Sequence, residues 1–273
     1  GEADPDTYDK GFAHCDLLVI GAGPAGLIAA RDAARAGATV ILAEDDFELG
    51  GRLLSERQAV GDEDAAGFAA SVRTELEGAA NVRVMTRTTV FGVYDHGIYG
   101  ALERITDHVA NPAAHLPRQI LWKVFAKQSI VASGAIERPI VFGGNDRPGV
   151  MLAGAVRTYT NRYGVALGHK TAVFTTNDNG WLTAADLAAA GVEVSAVIDV
   201  RDDAVASDIL GDRARALSDT RVMVGAQITD ALGGTDLHGI KVLDIRGQKR
   251  TVAVDSVAVA GGWKPVVNLT CHL

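Results

Sequence analysis

The sequence predicts an α/β fold in which helices cover a parallel sheet, with two such modules along the chain. Short apolar runs such as 17–20 alternate with helical segments, and the alternation begins again near residue 150. Strands that are covered on both faces read as continuous apolar runs, so these strands are expected to be parallel. The 31 glycines among 273 residues suit a fold with many tight turns. This length allows one large domain or two ordinary ones.

The first predicted strand leads into a glycine turn and a helix. Gly21 permits a tight turn, Gly23 lets the backbone approach a pyrophosphate, and Gly26 allows the helix to pack closely on the strand. Pro24 and Ala25 open the helix, whose N-terminal N–H groups favour a bound diphosphate. The pattern predicts a Rossmann-like dinucleotide-binding module.

An acid follows the second predicted strand. Glu44 stands directly after the apolar segment 39–43, where a carboxylate accepts hydrogen bonds from ribose hydroxyls. Strand, helix and acid in this order distinguish the motif from an ordinary glycine-rich loop. Asp45 adds a second carboxylate, which should repel a 2′-phosphate and so disfavours NADP. FAD and NAD share an adenosine diphosphate, so the motif alone leaves both open.

Three further segments are expected to line the same site. The loop that follows the acid should approach the pyrophosphate and ribose, although a flexible turn with a surface ion pair is the alternative. The strand beginning at residue 88 should pass the adenine, whose edge backbone N–H and C=O groups can bind. The turn ending at residue 134 should lie under the cofactor, or be a structural turn. The residues concerned are Gly51, Arg52, Leu53, Thr89, Val90, Ser133 and Gly134.

The remaining elements follow from apolar periodicity, β-branched runs and glycine stops. Helices are expected over residues 24–36, 64–79, 151–163, 181–190 and 204–217. Residues 82–94 are expected to hold a third strand and the start of another. Further strands are expected over residues 98–109, 119–133, 170–175, 192–200, 220–232, 238–246 and 251–260.

These elements predict four segments along the chain. Residues 1–13 are interpreted as a linker or arm and residues 14–149 as the dinucleotide-binding module. Residues 150–250 form the inserted second α/β module, and residues 251–273 return to the first. A further helix would be expected after that return, so the chain is interpreted as a piece of a longer polypeptide.

Composition argues against several classes of function. The net charge is −8 and basic residues form no stripe, which argues against nucleic-acid binding. No apolar run approaches the ~18 residues of a membrane span, and the polar N-terminus lacks the apolar core of a secretory signal. Two cysteines are too few for a disulfide framework. The sequence therefore predicts a cytoplasmic protein.

The second module lacks the features of a second redox site. Its loop equivalent to the glycine turn is Thr175-Thr-Asn-Asp-Asn-Gly180, where bulkier side chains and a carboxylate would oppose a pyrophosphate. A second NAD(P)H site is therefore not expected, and the absence of a cysteine pair argues against disulfide reductase chemistry. The seven histidines lack metal-ligand spacing. No catalytic residue and no metal site are predicted.

The segment 137–151 joins the two predicted modules. It contains two arginines, two prolines and an Asn-Asp pair. Its composition is typical of a rigid hinge, and equally of a loop that faces a second cofactor or a partner subunit. Both interpretations stay open on physical grounds.

The chain closely resembles the alpha subunits of heterotetrameric sarcosine oxidase over residues 8–272. The glycine fingerprint is common to many flavoproteins, whereas Asn145-Asp-Arg-Pro-Gly149 and Thr175-Thr-Asn-Asp178 are more specific. The matching runs are residues 12–16, 21–26, 88–95, 137–142, 145–154, 175–178 and 261–270.

The resemblance implies the FAD/NAD(P)-binding, disulfide-reductase-like architecture, with NAD held in this region. It implies partners as well: a beta subunit that carries FAD, covalent FMN at the alpha–beta boundary, and smaller subunits. Such complexes demethylate sarcosine to glycine, hydrogen peroxide and a formaldehyde unit that tetrahydrofolate can capture. The folate site belongs to a domain outside residues 1–273.

Other functions remain possible from the sequence. The chain could be an FAD-binding subunit of a related amino-acid dehydrogenase complex, or a free-standing FAD-dependent oxidoreductase. A non-enzymatic alternative is a scaffold that the bound dinucleotide merely stabilises, which linkage alone would achieve.

Overall fold

The chain divides into two α/β units in the computed structural model, which describes residues 6–272. Within these residues the first unit comprises 6–54, 58–134 and 265–272. The second unit comprises 55–57 and 135–264. The first unit is therefore discontinuous in sequence, and most of the second lies between its parts.

The first unit is a six-stranded sheet with two helices. The elements are β1 (Tyr8–Ile20), α1 (Pro24–Arg35), β2 (Val40–Ala43), β3 (Ala59–Val60), β4 (Glu63–Asp64), α2 (Ala65–Gly78), β5 (Val82–Met85), β6 (Thr88–Tyr94), β7 (Ile98–Arg104) and β8 (Gln119–Val131). The sheet order is β5-β2-β1-β8-β7-β6, in which β5, β2, β1 and β8 are paired in parallel and β7 is paired antiparallel with both β8 and β6.

Helices α1 and α2 pack on one face of this sheet. Leu27 on α1 and Leu76 on α2 are buried with Val19 and Leu42 of the strands. The other face buries Leu18 and Ile41 in a separate cluster. All four residues of β2 are buried, which explains why this strand reads as a continuous apolar run. The packing fixes the carboxyl ends of β1 and β2 next to each other.

The second unit repeats the plan with a five-stranded parallel sheet in the order β10-β17-β11-β12-β13. An antiparallel β14-β15-β16 meander and a β9-β18 pair accompany it. The elements are β9 (Ala135–Glu137), β10 (Val150–Leu152), α3 (Ala153–Tyr163), β11 (Lys170–Thr175), α4 (Asp178–Ala189), β12 (Glu193–Asp199), α5 (Ala206–Leu210), β13 (Arg221–Val224), β14 (Gln227–Gly233), β15 (Leu237–Leu243), β16 (Lys249–Val252), β17 (Ser256–Ala260) and β18 (Trp263–Pro265).

The N-terminal arm expected over residues 1–13 is wrong for residues 8–13. Strand β1 begins at Tyr8 and pairs with β8 along its length, from Tyr8–Gln119 to Ile20–Val131. Several side chains in its first part are both exposed and polar. This part of the strand therefore lacks a continuous apolar run like that of residues 17–20, from which a strand could be predicted. Residues 1–5 lie outside the described part of the chain.

The strand expected over 251–260 is also corrected. It is two strands, and β17 lies between β10 and β11 in the second sheet instead of returning to the first. The boundaries between the two units also differ from the expected ones. Residues 135–149 belong to the second unit, where the Ala231 N–H donates to the Gly143 carbonyl at 2.7 Å. The chain rejoins the first unit only at Pro265.

Several shorter elements also depart from the sequence prediction. Residues 150–152 are a strand before α3, where the helix was expected to begin at 151. The helix expected over 204–217 is α5 followed by a 3-10 segment, Gly211–Leu217. Short elements carry too few periods of the apolar pattern to be recognised.

Candidate dinucleotide-binding site

The turn between β1 and α1 requires glycine at two positions. Gly21 has φ +97°, and a Cβ on it would lie 2.5 Å from the carbonyl oxygen of Ala132. A Cβ on Gly26 would overlap the carbonyl oxygen of Gly21. Because both obstacles are backbone atoms, only a residue without a side chain fits. The helix therefore packs directly against the end of β1.

Gly23 is needed for a different reason. Among the described residues, no heavy atom lies within 4 Å of the Cβ that it would carry, and its φ of −67° suits any residue. It is the N-cap of α1, and no described side chain caps the helix there, where Pro24 and the exposed Ala25 follow. Open space before uncapped N–H groups is where a phosphate can approach the backbone.

The predicted ribose acid lies against this turn. The Glu44 carboxylate accepts hydrogen bonds from the Ala22 N–H at 2.6 Å and from the Asp46 N–H at 3.0 Å. The two backbone donors orient the side chain at the carboxyl end of β2. A carboxylate has about four lone-pair positions, so two of them remain for further hydrogen-bond donors.

The second predicted loop contacts the first. Gly51 has φ +53°, and its Cβ would lie 2.9 Å from the Gly23 Cα. The Gly50 N–H donates to the Ala22 carbonyl at 2.9 Å, while Leu53 anchors the loop in the core. Arg52 is exposed. The structure thus brings residues 50–53 and the glycine fingerprint together.

The strand predicted to pass the adenine is β6. The Thr88 N–H donates to the Glu44 carbonyl at 2.8 Å, which ties this strand to the acid. Thr89 donates its hydroxyl to the Asp45 carboxylate, and Val90 is buried. Because β6 is at the edge of the sheet, its outer row of N–H and C=O groups lies outside the sheet pairing.

The turn after β8 lies beside the fingerprint through Ala132, but its serine is engaged elsewhere. The Ser133 hydroxyl donates to the Val266 carbonyl at 2.7 Å. Gly134 has φ +70°, and its carbonyl accepts from the Val266 N–H at 3.0 Å. These contacts tie the turn to the returning chain, as in the structural alternative for this segment.

Arg104, at the end of β7, lies beside the candidate site, and the sequence analysis did not identify it. Its guanidinium donates to the Asp45 backbone carbonyl at 2.6 Å and to the Asp45 carboxylate at 2.9 Å. No motif marks an arginine in an antiparallel strand, and the pairing of β7 with β6 brings it to this edge.

The corresponding corner of the second unit is filled by its own side chains. Thr175 donates its hydroxyl to the Asn177 carbonyl at 2.6 Å, and the Asn177 amide donates to the Ala260 carbonyl at 3.0 Å. Asp199, in the place equivalent to the Glu44 acid, is completely buried. It accepts from the Trp181 indole at 2.7 Å and from the Arg201 guanidinium at 2.8 Å.

The described residues, 6–272, show neither a metal-binding cluster nor a membrane-spanning helix. No group of three or more His, Cys, Asp or Glu side chains in that range could hold a metal ion. None of the helices in the same range combines the length and apolarity needed to cross a bilayer.

The fold and site define an α/β protein with the FAD/NAD(P)-binding, disulfide-reductase-like architecture, as the sequence predicted. The chain belongs to the family described as pyridine nucleotide-disulphide oxidoreductase, whose sequence profile matches residues 15–272. Thioredoxin reductase from Lactococcus lactis shares the fold, with a TM-score of 0.72 at 20% identity. The match covers 95% of this chain and 81% of the reductase.

Curated relatives confirm the resemblance drawn from the sequence motifs. The chain is 49% identical to sarcosine oxidase subunit alpha of Rhizobium meliloti (strain 1021) over 99% of its length, covering 26% of that protein. It is 42% identical to sarcosine oxidase subunit alpha of Corynebacterium sp. (strain P-1) over 97% of its length, covering 28% of it. The chain therefore spans about a quarter of the length of these relatives.

The cysteines do not suit the disulfide chemistry in the family's description. Cys15 lies within β1 and is 7% exposed, and burial raises the pKa of its thiol to about 11. Cys271 is exposed near the other end of the chain. The thiolate is the reactive form in disulfide exchange. Cys15 is therefore almost entirely in the unreactive thiol form at neutral pH.

We expect the two thiols to differ in alkylation by iodoacetamide at pH 8. An ordinary cysteine thiol ionises near ~8.5, so the raised pKa slows Cys15 by about two orders of magnitude through ionisation alone. Peptide mass spectrometry of the native chain should show modified Cys271 and unmodified Cys15. Denaturation before labelling should make both react, and rapid modification of Cys15 in the native chain would contradict this account.

Proposed function

We propose that this chain is the NAD-binding region of a sarcosine oxidase alpha subunit. The observation that carries the proposal is the convergence of three predicted elements on the open space before Gly23. The first turn of α1 faces that space, Glu44 is hydrogen-bonded to the turn, and Gly51 packs against Gly23. Anion, ribose and second-loop positions are thus adjacent, as a dinucleotide requires.

The choice of NAD rests on two features. Consecutive carboxylates at Glu44 and Asp45 oppose a 2′-phosphate, which favours NAD over NADP. The corner at Asp199 is filled by side chains of its own unit, which argues against a second dinucleotide there. A single dinucleotide without a redox partner in this chain suits NAD that stays bound without turnover.

The chemistry of the complex is proposed from the relatives. Sarcosine, oxygen and water would give glycine, hydrogen peroxide and formaldehyde, or its folate adduct. The oxidation would occur at FAD on the beta subunit, with FMN at the subunit boundary, and smaller subunits would complete the assembly. This chain would contribute dinucleotide binding and no catalytic residue.

The proposal is tested by identifying the dinucleotide that copurifies with the chain. The protein is denatured, and the supernatant is resolved by chromatography with mass detection. We expect NAD at close to one equivalent and no flavin absorbance. Stoichiometric FAD would contradict the NAD assignment and would favour the related FAD-binding subunits. A Gly23→Ala variant, processed in parallel, is the control for specific retention.

A further inference from the structure

An ion pair stands next to the predicted ribose acid. Arg104 donates from Nη2 to both the backbone carbonyl and the carboxylate of Asp45, at 2.6 and 2.9 Å. The Thr89 hydroxyl donates to the same carboxylate oxygen. Asp45 directly follows Glu44, so the pair lies at the ribose end of the site.

The backbone holds both partners in place. The Arg104 N–H donates to the Arg87 carbonyl at 3.0 Å, and the Arg87 N–H donates to the Asp46 carbonyl at 2.9 Å. The Thr88 N–H reaches the Glu44 carbonyl. The loop 44–46 and the end of β7 are therefore tied through one short segment. The bond from the Arg104 guanidinium to the Asp45 backbone carbonyl does not depend on the Asp45 side chain.

This arrangement combines opposite signals for nucleotide specificity. An acid after the second strand favours a free ribose 2′-hydroxyl, whereas a nearby arginine accommodates a 2′-phosphate. Guanidinium groups bind phosphate well through paired, charge-assisted hydrogen bonds. Which signal prevails depends on whether the guanidinium is already engaged.

We infer that Asp45 determines specificity by engaging Arg104, so that the site selects an unphosphorylated ribose. This inference rests on the proposed function, and it assigns Arg104 and Asp45 a role in discrimination. Asp45 neutralises the cation that a 2′-phosphate would use, and Thr89 holds the carboxylate in that position. Removing the carboxylate takes away the counter-charge of the guanidinium beside the ribose, while its bond to the Asp45 backbone carbonyl remains.

The test uses the ligand-free chain and two probes, ADP-ribose and 2′-phospho-ADP-ribose, with affinities measured by calorimetry. In Asp45→Ala, the ratio of the two dissociation constants should move toward the phosphorylated probe by about tenfold or more, since hydrogen bonds to charged groups are among the strongest. Adding Arg104→Ala to that variant should restore the wild-type ratio. Asp62→Ala, at an exposed carboxylate in the β3–β4 turn, should leave the ratio unchanged.

An unchanged ratio in Asp45→Ala would overturn the inference, as would a shift that persists in the double variant. An equal shift in Asp62→Ala would also overturn it, because the cause would then be net charge. Tight binding of ADP-ribose by the wild-type chain would leave the proposed function standing even if the inference about Asp45 fails. Failure of the wild-type chain to bind ADP-ribose would instead overturn the proposed function and the inference together.

Discussion

Gly26→Ala is expected to lower the free energy of unfolding by about 3 kcal/mol and to remove dinucleotide binding. The new Cβ would overlap the Gly21 carbonyl oxygen. The Cβ is fixed rigidly to the backbone and the oxygen is a backbone atom, so no side-chain rotation separates them. Relief requires α1 to move away from β1. That movement breaks the packing of Leu27 and Ala30, which are completely buried, and it displaces the first-turn N–H groups from the acid.

Urea denaturation and ADP-ribose titration measure the two effects, and Gly23→Ala is the matched control. A Cβ at Gly23 meets open space, so its stability should stay within about 0.5 kcal/mol of the wild type. Its affinity for ADP-ribose should nevertheless fall by about tenfold, because the methyl group occupies the approach to the backbone. A fully stable Gly26→Ala chain, or unaltered binding by Gly23→Ala, would contradict the roles assigned to these glycines.

The elements that the sequence predicted well are those with local signals. The strand, turn and helix of residues 17–35 depend on contacts within a few residues. The lack of space for a Cβ at Gly21 and Gly26 is visible in the sequence because only glycine can occupy these positions. Strand β11 was predicted with its observed bounds, 170–175, because the continuous apolar run 172–174 marks its buried part. Local patterns thus identified the fingerprint and most of the helices.

Long-range pairing was not predictable in the same way. The apolar run in 251–260 indicated a buried strand, but nothing in it tells which sheet it joins, and β17 lies in the second. Arg104 reaches Asp45 across 59 positions only because β7 pairs antiparallel to β6. The fold, and not a motif, creates that contact.

The two units use one plan with different outcomes at the equivalent acid. Glu44 accepts from two backbone N–H groups and retains lone pairs for a ligand. Asp199 accepts hydrogen bonds from Trp181 and Arg201. The bond to this carboxylate raises the pKa of the Arg201 guanidinium. The Asp199 carboxylate already accepts from an indole N–H and a guanidinium, and these bonds stabilise the second unit. The sequence difference at residues 175–180 is therefore matched by a structural one.

Asp186→Asn is expected to destabilise the second unit by about 3–5 kcal/mol. Asp186 is completely buried on α4 and accepts from the Arg157 guanidinium at 2.7 Å, from the Asn161 amide at 3.0 Å and from Arg213. Arg157 is 2% exposed, and the next carboxylate, on Glu56, is 3.7 Å away. The neutral amide keeps the volume of the side chain but leaves a buried cation without its main counter-charge.

The loss should appear as a lower urea midpoint for the second unit. Arg215→Ala is the matched control, because its ion pair with Asp212 is 85% and 93% exposed; exposed pairs contribute about 0–1 kcal/mol. If the Asp186→Asn chain is as stable toward urea as the control, the prediction is contradicted, and Glu56 or solvent balances the charge of Arg157 instead. A large loss would show that the buried pair fixes α3 against α4, since the two helices are joined by Arg157 to Asp186 and by its bond to Asn179 at 3.1 Å.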